Sequence, residues 1–119
     1  MSDVHQLNDL PSQSAIDLIA NYRTEFDNPI FDYPLLLSKL KLDISKLEFM
    51  VQQDNKVWMT RRGNDYLENP KLFDHAPLTY LCAFLGEVFK EEDLNELQQK
   101  ISPEILENAL TRLYEFKLH

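Results

Sequence analysis

Residues 74–119 read DHAPLTYLCAFLGEVFKEEDLNELQQKISPEILENALTRLYEFKLH, and this stretch decides how the chain is read. Leu78, Leu81, Cys82 and Leu85 recur at i, i+3, i+4 and i+7, the spacing that puts apolar side chains on one face of a helix. Asp74 offers an N-cap, and Pro77 suits a first turn, where its missing N–H costs nothing. Gly86 stands where a helix end wants a residue free to turn left-handed. Glu91, Glu92 and Asp93 crowd the next N-terminus, where the helix dipole favours negative charge. Leu94, Leu97 and Ile101 form that helix's stripe. Ser102-Pro103 is a cap followed by a first-turn proline, and Leu106, Ala109, Leu110, Leu113 and Phe116 line the last helix. Three consecutive helices are predicted, the last two joined as a helix-turn-helix.

Upstream of this stretch the period changes. Leu47, Phe49 and Val51 alternate with Glu48, Met50 and Gln52, as in a strand with one face buried. Gln53-Asp54-Asn55-Lys56 is a turn candidate and Val57-Trp58-Met59-Thr60 is β-prone, so a hairpin is predicted. Arg61 to Asp65 makes a second turn, with Gly63 or Asn64 able to take positive φ. Tyr66-Leu67-Glu68 is a candidate third strand, stopped by Asn69-Pro70. Asp43-Ile44-Ser45-Lys46 is also consistent with a short helix running into Phe49.

Towards the N-terminus, residues 1–11 are polar and are predicted to be a flexible tail, leaving one domain over residues 12–119. Ser12 or Ser14 caps a helix carrying Ile16, Ile19, Ala20, Arg23 and Phe26, which ends near Asp27 because Asn28-Pro29 opposes continuation. Pro29 to Pro34 is an aromatic-rich connector. Pro34 suits the first turn of a second helix, with Leu35, Leu36, Leu37 and Leu40 behind it. The fold class that follows is α+β and winged-helix-like: N-terminal helices, a central β-hairpin and a C-terminal three-helix segment.

The composition is that of a globular chain, 44% hydrophobic and 27% charged, long enough for one modest core. The first residues lack a basic and an apolar segment, so no secretory signal is expected, and no apolar run is long enough to span a membrane. A single cysteine, Cys82, excludes an internal disulfide and fits a cytoplasmic protein. The net charge of −8 is uneven. Residues 39–71 hold seven basic and five acidic side chains, a local +2, so the rest of the chain carries −10.

The half of the chain from Lys56 onward resembles two kinds of winged-helix domain. The run is Tyr66-Leu67-Glu68-Asn69-Pro70, then Leu78 to Leu85, Phe89 to Leu94, and Ile105 to Leu118. It is similar to the small PqqD-type domains that hold leader peptides of ribosomally made natural products. It is also similar to the C-terminal winged-helix domain of bacterial cupin (JmjC-type) ribosomal oxygenases. The first resemblance implies peptide capture by strand addition at the hairpin edge, beside the last helix. The second carries over no catalysis, because His5, His75 and His119 stand in no His-x-Asp/Glu arrangement.

Catalytic and metal signatures are absent from the sequence. One cysteine and three scattered histidines do not supply a structural zinc set, and no cofactor is expected. Cys82 lies on an apolar face and reads as a buried thiol, and His75 reads as a surface residue beside a helix start. No Gly-x-Ser-x-Gly, Walker or dinucleotide motif occurs. Asp27, Asp32 and Tyr33 around Phe31 could line a cleft. The outward face of the last helix carries Glu104, Glu107, Asn108, Thr111, Arg112 and Glu115, more acid than base, which opposes the phosphate neutralisation DNA binding needs. The reading is therefore a non-enzymatic protein- or peptide-binding module, with Trp58, Arg61, Arg62 and Tyr66 on the hairpin and Arg112 on the helix as the binding residues. Two other functions fit the same features: a winged-helix regulator touching DNA through Lys56, Arg61, Arg62 and Trp58, and an acidic inhibitor mimicking nucleic acid. Phe31 or Phe116, if exposed, would seal a homodimer.

Overall fold

Side-chain caps open most of the longer helices. The computed structural model describes residues 11–46 and 63–117. The Ser12 hydroxyl accepts the Ala15 N–H at 3.2 Å and starts α1, Gln13–Ala20. The chain then tightens into a 3₁₀ segment, Asn21–Asp27. Asp32 accepts the Leu35 N–H at 3.0 Å and starts α2, Tyr33–Lys46. After the undescribed stretch come α3, Asn64–Glu68, and a second 3₁₀ segment, Pro70–His75. Then follow α4, Leu78–Val88, α5, Leu94–Lys100, and α6, Pro103–Tyr114. The Asp93 carboxylate accepts from the N–H groups of Asn95 and Glu96 at the head of α5. The Ser102 hydroxyl accepts from Ile105 at the head of α6.

Because α5 has only seven residues, its cap is a large part of what holds it. Replacing Asp93 by alanine strips two N–H groups of their acceptor and a carboxylate from the positive end of the helix. The expected loss is about 1 kcal/mol, read as a lower urea midpoint at unchanged slope.

The α+β expectation is overturned. Every described element is helical, and no strand occurs among the described residues. Tyr66-Leu67-Glu68, read as a third strand, lies in α3. Three residues carry no period of their own, and here long-range packing decides. Tyr66 is buried and stacks on Phe73 with ring centroids 4.6 Å apart, while Phe73 meets Phe84 edge-on at 5.0 Å. The hairpin predicted over Leu47–Thr60 lies outside the described residues, and so do Trp58, Arg61 and Arg62.

Smaller expectations also change. Gly63 has φ −60° and ψ −36°, right-handed helical values rather than a positive φ. Gly86 does not end its helix. It is buried inside α4, which runs on to Val88. Asp74 sits in the second 3₁₀ segment, and Pro77, with no side-chain cap, precedes α4. Residues Asp43 to Lys46 are the last turns of α2 and open no new helix.

One core joins all the elements. Helix α6 is its centre, touching α1, both 3₁₀ segments and α4. Leu106, Ala109, Leu110 and Leu113 are fully buried, and Ile105 nearly so. At 100° per residue these five positions span an arc of about 140°, wide enough to meet neighbours on more than one side. Polar ties reinforce the closure. Gln13 Nε2 donates to the Phe116 carbonyl at 3.1 Å, Lys117 Nζ to Asn21 Oδ1 at 2.7 Å, and the Tyr33 hydroxyl to the Ile101 carbonyl at 2.6 Å.

Candidate functional site

The first 3₁₀ segment and α2 lie side by side, and an open groove runs between them. A tighter 3₁₀ turn brings residues three apart into line, so Tyr22 and Glu25 face the same way. From α2, Leu35, Lys39 and Asp43 follow at i, i+4 and i+8 and form the opposite wall. The groove consists of two hollows of about 280 and 420 Å³ that share Tyr22, Glu25 and Lys39. The first reaches Ile30, Phe31, Asp32 and Leu35, and the second reaches Leu18 and Asp43.

Its apolar residues are unusually open. Leu18 is 43%, Leu35 51% and Ile30 84% exposed. Ile30 is held outward by a turn: its own N–H donates to Asn28 Oδ1 at 3.0 Å, and the next N–H, that of Phe31, donates to the Asn28 carbonyl at 3.1 Å. An asparagine whose side chain and carbonyl hold the following N–H groups fixes such a turn. Phe31 leans inward, 4.9 Å from Phe26 and 6.0 Å from Tyr33 between ring centroids.

The polar lining is mostly acidic. Glu25, Asp32 and Asp43 face one lysine, Lys39, so the groove carries a net −2. Glu25 and Lys39 line both hollows, yet no ion pair closes between them within 4 Å. Tyr22 donates its hydroxyl proton to Asp43 Oδ2. Burial first, and then that bond to Asp43, push the Tyr22 hydroxyl well above its ordinary range, so it stays a donor at neutral pH.

Of the residues expected from sequence to line a cleft around Phe31, the structure places Asp32 and Phe31 itself in the groove. Tyr33 turns away to the Ile101 carbonyl, and Asp27 pairs with Arg23 at 3.4 Å. Tyr66, expected as a binding residue, is buried in the aromatic cluster. Arg112 is engaged locally. Its Nε donates to the Ala76 carbonyl at 2.9 Å, its Nη1 to Glu115 at 2.6 Å, and its guanidinium lies 4.8 Å above the Phe116 ring. Phe116 and Phe31 are half-buried rather than exposed.

Part of the polar face of the last helix is covered. Arg23 lies across its polar face, donating from Nε to Thr111 Oγ1 at 2.6 Å and placing Nη2 3.3 Å from Glu107. Glu104, Thr111 and Glu115 are exposed, so the open part of that face is acidic or neutral.

Cys82 is fully buried, and burial pushes its thiol up to about 12, far from a thiolate nucleophile. Among the described residues no group of three or more His, Cys, Asp or Glu is placed to hold a metal ion, and no helix is long and apolar enough to cross a membrane. No family model, no curated protein and no solved structure matches the chain.

Proposed function

We propose that the protein is a non-enzymatic binding module that holds a segment of a partner protein or peptide in the groove between the first 3₁₀ segment and α2. The observation that carries this reading is Ile30: a large aliphatic side chain, 84% exposed, held outward at the mouth of an open hollow by the Asn28 turn. Exposed apolar side chains scattered singly need no explanation, but clustered ones mark contact surfaces. Of the five large hydrophobic residues most exposed among those described, Leu18, Ile30 and Leu35 line this groove and Leu42 lies on the same helix as Leu35. The acidic face of α6 and its cover by Arg23 support a protein or peptide ligand over DNA. The compartment proposed is the cytoplasm, in keeping with a lone buried cysteine.

The test is a peptide-display selection on the full chain, followed by ¹H–¹⁵N shift mapping of the best synthetic peptide. Perturbations are expected to centre on Tyr22, Glu25 and Leu35. The substitution Ile30→Ser is expected to weaken binding roughly tenfold, since burying one such side chain is worth roughly 1.5–3 kcal/mol. Far-UV circular dichroism should not change. Salt-sensitive retention of a labelled DNA duplex, with no peptide selected, would defeat the proposal.

A further inference from the structure

We infer that the segment held in the groove is basic and amphipathic: an apolar side chain seats against Ile30, Phe31 and Leu35, and flanking lysine or arginine side chains meet Glu25 and Asp43. This rests on the binding-module reading and specifies its ligand. Charge complementarity on an apolar floor selects such a ligand. Three carboxylates against one lysine make the groove repel acidic segments and attract basic ones, and its apolar lining gives the attraction something to hold. The carboxylates differ in availability. Asp32 caps α2 through Oδ1, and Asp43 accepts from Tyr22 through Oδ2. The Glu25 side chain is exposed and joins no hydrogen bond or ion pair with the described residues, so it is the groove's open acceptor. Lys39 opposes it without pairing, which makes the two residues opposite-signed controls on the same ligand.

That opposition supplies the test. A random peptide library is displayed on phage and selected on the full-length protein at low salt. The most enriched peptide is then synthesised with a fluorescent label. Enrichment of lysine or arginine around a leucine, phenylalanine or tryptophan is expected. For that peptide, Glu25→Lys should raise Kd roughly tenfold, as reversing one exposed charge both removes an attraction and adds a repulsion. Lys39→Glu should lower Kd several-fold, and Glu25→Gln should shift it in the direction of Glu25→Lys by less. Both positions are solvent-facing, and urea midpoints report whether the fold is kept. Selection of acidic or uncharged peptides that map to the groove would overturn the inference and leave the binding module standing. Basic peptides that bind Glu25→Lys and Lys39→Glu with equal affinity would also overturn it, because attraction to overall charge would explain them. No enriched peptide at all would remove both readings together.

Discussion

Replacing Leu110 by alanine is expected to cost about 2–5 kcal/mol, a large share of the roughly 5–15 kcal/mol that holds a domain of this kind together. Leu110 is fully buried on α6, the helix that touches α1, both 3₁₀ segments and α4. A hole at that point cannot be filled by moving one neighbour, because the elements around it are fixed from several sides. The cavity is then kept, and each lost contact counts. Thermal unfolding should shift down by about 8–20 °C, taking roughly 4 °C per kcal/mol for a chain of this size. Leu42→Ala is the control, since Leu42 is 67% exposed, and its change should stay within about 0.5 kcal/mol. Equal losses at the two positions would contradict the central place given to α6.

Alkaline solution should destabilise the protein through Cys82. The thiol is fully buried, and burial lifts its pKa from near 9 to about 12. Between those values the unfolded chain releases the thiol proton and the folded chain keeps it. The folded state then binds more protons, so stability falls as pH rises. Below about pH 8 both states hold the proton and the effect vanishes. The loss should reach about 1–2 kcal/mol by pH 10 and on the order of 4 kcal/mol near pH 12. Tyr22 and Tyr33, both raised chiefly by burial, act in the same direction at higher pH. Urea midpoints at pH 7, 9 and 10 would measure this, and Cys82→Ala should flatten the fall from pH 9 to 10. A thiol reagent such as Ellman's should label Cys82 only as fast as the protein opens. Immediate labelling of the native protein would refute the burial on which the prediction stands.

Caps and stripes were the parts of this architecture legible in the amino acids. Ser12 and Ser102 cap as expected, Asp93 stands at a helix start as expected and proves to be its cap, and Leu106, Ala109, Leu110 and Leu113 form the buried face expected of the last helix. These signals are local, requiring only a residue and its near neighbours. Tyr66 was not legible, because its choice between strand and helix was made by Phe73 and Phe84. Gly86 does not mark a helix end, because glycine inside a helix is tolerated wherever packing compensates its conformational cost. The continuation from α1 into a 3₁₀ segment is invisible to the apolar pattern, since i+3 spacing serves both kinds of helix. The groove was half legible. Asp32 and Phe31 were conspicuous in an aromatic connector, but Glu25 and Lys39 are ordinary charged residues until folding sets their two elements side by side.

The tie between Gln13 and the Phe116 carbonyl spans 103 positions of chain. Its consequence falls on birth at the ribosome. Translation delivers the N-terminal helix first and its chief partner last, roughly 5–20 s apart at 5–20 residues per second. Until then α1 has only the first 3₁₀ segment and α2 to pack against, and a nascent chain would offer part of its apolar face to a chaperone. Acquisition of the native state must therefore wait for α6 to leave the exit tunnel.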